Sequence, residues 1–226
     1  MLLDVHTHHT DRSNAIINAS ISDFKPLQER FYSVGIHPWD IKDIDCETAL
    51  KSLYELTSSN TQIIAIGECG LDALIDTPES TQTSIFEKQI ILSEELKKPL
   101  IIHCVKRYNE ILCLHRKYKP QQAWILHGFR SNSNVLRPIL EHPGIYISIG
   151  EKFNPEAVKQ IPTDRLLIET DESILPIEEI AMHIATTRGE STENLIKSVH
   201  QNLSQIFTSQ SPFRHPRCKH LEADLE

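Results

Sequence analysis

Ile63-Ile64-Ala65-Ile66-Gly67 is an uninterrupted apolar run that stops at an acidic residue, Glu68. A run of this kind, too short for a helix and without polar alternation, reads as a β-strand buried on both faces. Strands of that type belong to parallel sheets, whose crossovers cover each face with helices. The same theme recurs along the chain. Leu100-Ile101-Ile102 stops at His103, Ala123-Trp124-Ile125-Leu126 at His127, and Leu166-Leu167-Ile168 at Glu169-Thr170-Asp171.

Other segments fill in the alternation. The opening Leu2-Leu3-Asp4-Val5-His6 predicts a strand, as do 15–19, 31–36 and 145–149. Helices are predicted over 23–30, 47–59, 83–97, 108–117, 132–141, 155–160, 177–187 and 191–207, where apolar residues recur at helical spacing. Eight strands alternating with helical segments favour a single closed (β/α)8 barrel of the TIM type over an open doubly wound sheet. The domain is expected to occupy residues 1–207. Residues 208–226 lack periodicity and read as an unstructured or non-native tail.

Composition narrows the function classes. The formal charge of -8 excludes a broad basic surface, so a nucleic acid partner would need a local patch or bound cations. Five cysteines form no closely spaced pair, and no apolar run approaches the ~20 residues that span a bilayer. A reducing, cytoplasmic setting with no membrane association is therefore expected, and no protein partner is evident.

A barrel gathers the C-terminal ends of its strands at one mouth. Those ends carry His6, His8, His37, Glu68, His103, His127 and Asp171. His6 and His8 are two positions apart on a strand and project from the same face. Setting His37 aside, four imidazoles and two carboxylates converge, which is more than one tetrahedral zinc site uses. The set suits a pair of divalent ions, such as Zn, Mg, Mn, Ni or Fe, typically ~3.5–4 Å apart and bridged by a carboxylate. Hydrolysis by a metal-activated water is the natural chemistry of such a pair. Lys106, Arg107 and Arg130 follow strand ends and, with His37, are candidate substrate contacts. Asp4, on the same face as His6, reads as a buried supporting carboxylate.

Six blocks, Asp4–His9, Gly35–Asp40, Gly67–Asp72, Ile101–Cys104, Ile125–Phe129 and Leu166–Asp171, resemble, in order and spacing, the TatD-like metal-dependent hydrolases, a branch of the amidohydrolase-like barrels. The resemblance implies a two-metal deoxyribonuclease acting on DNA. It also implies that His6 and His8 bind the first ion and His103 and His127 the second. Glu68 would bridge, and Asp171 would bind the first ion and act as general base. Two departures bear on substrate. Cys104-Val105-Lys106 stands where the family usually has Ser-Arg-Asp, and Glu172-Ser173-Ile174 stands where a proline-containing loop is common. Two alternatives keep the metal site: a hydrolase of a small-molecule amide, ester or lactone, and a non-catalytic metal-binding protein that has lost its substrate loops.

Overall fold

The computed structural model describes residues 2–207, so the tail expectation lies outside the described residues. Eight parallel strands close into one barrel: β1 (Asp4–Thr7), β2 (Ala15–Ala19), β3 (Phe31–Val34), β4 (Ile63–Asp72), β5 (Leu100–Val105), β6 (Trp124–Leu126), β7 (Ile145–Ile149) and β8 (Leu166–Ile168). Seven α-helices accompany them: α1 (Cys46–Ser59), α2 (Glu79–Leu96), α3 (Tyr108–Tyr118), α4 (Ser133–Leu140), α5 (Pro155–Val158), α6 (Ile177–Arg188) and α7 (Thr192–Phe207). The strand order equals the chain order, and β1 pairs with β8 to complete the ring.

The apolar runs go where their composition directs them. Ile63, Ile64, Ala65, Ile66, Leu100, Ile101, Ile102, Trp124 and Ile125 are all completely buried. Several helices begin at side-chain caps that their sequences supply: Asp45 accepts from Glu47 N, Asn132 from Asn134 and Val135 N, and Asn154 from Ala157 N. Such caps satisfy amide groups that a helix start leaves without partners.

Two local expectations change. No helix forms over residues 23–30; Pro26 interrupts the segment, whose backbone is pinned instead by Leu27 N donating to Tyr32 Oη at 2.8 Å. Strand β4 also runs on past Gly67 to Asp72, so Glu68 sits inside the strand and not at its end. Glycine makes this continuation possible. A Cβ on Gly70, whose φ is +139°, would lie 2.1 Å from the His103 carbonyl oxygen, and one on Gly67 would lie 2.4 Å from the Ile101 carbonyl oxygen. Without those glycines β4 could not press so closely on β5. The close approach sets Glu68 beside His103.

Candidate metal centre

Closure of the barrel assembles the first half of the site. Asp171 N donates to His6 O at 2.9 Å, and His8 N donates to Asp171 O at 3.1 Å, which ties the end of β1 to the turn after β8. Asp4 locks the same seam: its carboxylate accepts from Thr170 N at 3.0 Å and from the Thr170 hydroxyl at 2.6 Å. Burial lifts the Asp4 carboxyl to about 7, against the lowering effect of those hydrogen bonds. The expectation of a buried supporting carboxylate describes what Asp4 does.

Glu68 stands at the centre and divides its two oxygens between two groups of donors. Oε2 lies 3.4 Å from His6 Nε2 and 3.6 Å from His8 Nε2, and each of these nitrogens is 3.7 Å from Asp171 Oδ1. Oε1 lies 2.9 Å from His103 Nδ1, 2.7 Å from His127 Nε2 and 3.3 Å from His37 Nε2. Donors ~2.1 Å from one tetrahedral ion are separated by roughly 3.4 Å, the spacing of the first group. The other five expected ligands therefore gather about Glu68, four histidines directly and Asp171 through His6 and His8.

The satisfaction of each imidazole tests whether a metal fits. His6 is completely buried, yet neither of its ring nitrogens has a hydrogen-bond partner, and both nitrogens of His127 are in the same condition. Orphaned buried polar atoms are costly unless something unseen completes them. His103 Nε2–H donates to Asp72 Oδ2 at 3.1 Å, so in a neutral ring Nδ1 turns a lone pair toward Glu68 Oε1. A cation is what would reconcile two facing acceptors. His37 differs: its Nδ1 accepts from Trp39 N at 3.2 Å, which leaves Nε2–H to point at Glu68. That ring is satisfied as a hydrogen-bond donor and fits the role of substrate contact better than that of ligand.

The electrostatics agree. Burial would push the Glu68 carboxyl up, but the charge of His127 and contacts from His103, His127 and His37 hold it well below its ordinary value. His127 moves the other way: burial opposes its proton, and the carboxylates of Glu68 and Glu169 overcome that opposition and raise it well above the histidine range. His8 is also raised, chiefly by Glu68. The pocket is thus built to hold positive charge.

Two residues that the sequence reading missed stand behind the second group. Asp72 is 3% exposed; besides His103 it accepts from Trp39 Nε1 at 2.8 Å and Leu74 N at 2.8 Å. Glu169, fully buried, places Oε1 3.6 Å from His127 Nδ1 and accepts from Gly128 N at 2.5 Å. Carboxylates in this position orient metal-ligating imidazoles and fix their tautomers. The signal in the sequence was a second carboxylate close to each expected one, Asp72 after Glu68 and Glu169 before Asp171.

The centre lies in a cavity of about 610 Å³ whose lining includes His37, Trp39, Lys106, Tyr108 and Arg130. Arg130 Nη2 is 3.6 Å from Asp171 Oδ2. Arg107 is not brought to this lining; its guanidinium is held by Glu79 Oε2 at 2.6 Å and Glu110 Oε1 at 3.2 Å.

Comparison with known proteins followed the same direction. Residues 5–208 match the family described as TatD related DNase. A metal-dependent hydrolase of Bacillus subtilis, YabD, is 29% identical over 199 residues, covering 78% of this chain and 77% of its own. A 3'-5' ssDNA/RNA exonuclease TatD of Erwinia tasmaniensis is 29% identical over 204 residues, covering 77% of each. Among solved structures, the TatD homologue YjjV of Escherichia coli K12 superposes with a TM-score of 0.80 at 16% identity, over 92% of this chain and 98% of that one, a likeness of fold.

Proposed function

The chain belongs to the TatD related DNase family, and from that premise we propose that it is a metal-dependent phosphodiesterase that hydrolyses DNA. The observation that carries this reading is the division of Glu68 between two groups of imidazoles, from the buried His6 to the exposed His8, around one cavity. Two divalent ions, one held by His6, His8 and Asp171 and one by His103 and His127 with Glu68 between them, would polarise the phosphoryl oxygen and make water nucleophilic near neutral pH.

The remaining roles belong to the chain's own groups. Asp171 is the general base: it adjoins the first donors through Oδ1, is only partly buried, and accepts the proton of the attacking water. With Glu68 taken up by metal, the His37 Nε2–H that faces it becomes free for a phosphoryl oxygen. Lys106 and Arg130, on the cavity wall, hold the substrate's phosphates by charge. Asp72 and Glu169 orient His103 and His127.

The test uses single- and double-stranded DNA with protein stripped by chelation and reloaded with Mg, Mn or Zn. Cleavage is expected to stop on chelation, return with metal, and be lost in Glu68→Ala and Asp171→Asn. Wild-type protein that leaves both substrates uncut with every metal would overturn the proposal. A second reading, a small ester or amide substrate on the same centre, draws on the acidic rim: the adjoining cavity is lined by Asp40, Asp43 and Asp45. Turnover of such substrates without DNA cleavage would establish it. The four described cysteines are free, which supports action in the reducing cytoplasm. Among the described residues no helix is long and apolar enough to cross a membrane.

A further inference from the structure

Among the described residues Trp39 is the one aromatic side chain of Phe, Tyr or Trp that is more than half exposed, at 57%. It is nevertheless fixed. The indole Nε1–H donates to Asp72 Oδ2, and the ring stands edge-on to His37 at 5.0 Å and to His103 at 5.9 Å. Asp72 is itself buried and tied to Leu74 N, and its strand end is clamped by Gln82, which accepts from Asp72 N at 2.8 Å and donates to Asp72 O at 3.0 Å. An indole fixed at its polar edge with more than half of its surface exposed offers area to another flat group.

We propose that Trp39 is the platform on which a nucleobase of single-stranded nucleic acid stacks while its phosphate lies at Glu68; this rests on the nuclease reading above. Three observations carry it. The ring lines the same cavity as Glu68, Lys106 and Arg130, so an aromatic face and cationic groups flank one centre, the pairing that tracks single strands. Its closeness to His103 lets a stacked base leave its own phosphate beside the donors. Its N–H is committed to Asp72, so it has no hydrogen to offer a base edge and only a π-face remains. Recognition by that face alone is tolerant of base identity. An exposed duplex, whose bases are stacked on one another, offers no free face; the platform selects unpaired strands.

The rival account is that Trp39 positions Asp72, and through it His103, with no contact to substrate. The experiment uses the full chain, metal-loaded, with a phosphorothioate dT octamer and an octamer of abasic sugar phosphates of equal charge. The chain has two tryptophans, and Trp124 is fully buried in the core, so quenching by ligand reports on Trp39. The dT octamer is expected to quench fluorescence and the abasic one not to. Trp39→Ala should weaken dT binding roughly 5- to 150-fold and abasic binding hardly at all. Trp39→Phe, which keeps a π-face but lacks the Nε1–H, should recover part of the dT affinity. Thermal melting and metal content of each variant check that the fold and centre survive. Equal losses for both octamers, or loss in Trp39→Phe as large as in Trp39→Ala, would overturn the platform in favour of positioning. Cleavage of an unmodified dT octamer without quenching by the phosphorothioate overturns the platform and leaves the nuclease reading standing. Quenching without cleavage supports the platform and removes the nuclease reading, and neither effect overturns both.

Discussion

Among the described residues histidines gather in two clusters, and the two behave in opposite ways. At the barrel mouth, His6, His8, His37, His103 and His127 surround Glu68. On the outer layer, His115 and His142 meet edge-on with Nδ1 atoms 3.1 Å apart, His142 faces the Arg116 guanidinium, and His115 stands against the Trp124 ring. The first cluster draws positive charge: His8 and His127 are raised by Glu68. The second repels it. Burial, with the nearby His142 and Arg165, drives His115 down to about 4, and burial with Arg116 lowers His142. Gathered imidazoles alone do not make a cation site; the carboxylate at the centre decides the sign.

The largest test of that contrast removes the carboxylate. Glu68→Ala should reduce hydrolysis to background and release bound metal, measured by elemental analysis, whereas His115→Leu should leave metal content intact. Retention of metal by Glu68→Ala would break the comparison.

A smaller effect is expected from the orienting groups. Asp72→Asn should weaken metal affinity about 10- to 100-fold in calorimetric titrations, with Glu169→Gln similar, because the imidazoles of His103 and His127 lose their orientation. Among the described residues no carboxylate is in hydrogen-bond contact with His115 or His142, Glu141 acting on His142 only by its charge, and substitution of this cluster should leave those titrations unmoved.

The outer cluster is sharpened by pH. His115 is depressed in the fold, so the unfolded chain binds more protons below its ordinary pKa near 6.5, and the native state loses stability as pH falls from there toward 4. Between pH 7.5 and pH 5 the wild type should lose about 2 kcal/mol more stability than His115→Leu, read as the difference between urea denaturations of the two proteins. An unchanged slope in the variant would reassign that pH dependence.

The smallest effect concerns Arg107. Held by Glu79 and Glu110 away from the cavity lining, it should change turnover less than about twofold on substitution by Ala, a surface change of the kind that is usually near neutral. Arg130→Ala, by contrast, should raise KM for DNA.

Much of the fold was legible because each buried strand announces itself by composition and ends in a residue unsuited to the core. The six candidate ligands were legible for the same reason, since His103 and His127 interrupt apolar runs. What was hidden lay in contacts between elements. That β4 continues to Asp72 depends on β5 lying close enough to forbid a Cβ at Gly70, which no pattern within β4 records. Glu169 looks like Asp171 in the chain; only the structure shows that Glu169 faces His127 while Asp171 faces His6 and His8. Arg107 and Arg130 are likewise indistinguishable until Glu79 and Glu110 are seen beside one of them.

Glu68 and His103 lie inside β4 and β5, with strand continuing beyond each of them to Asp72 and Val105. Because these donors hang from the barrel wall, the segments above can be shortened, lengthened or exchanged without moving them. A lineage carrying such a wall can try new rims, and so new substrates, while the hydrolytic core is inherited unchanged. For protein engineering the same separation makes the turn at Lys106 and Arg107 and the segment after Asp171 the places to graft, with metal retention as the sign that the graft has spared the wall.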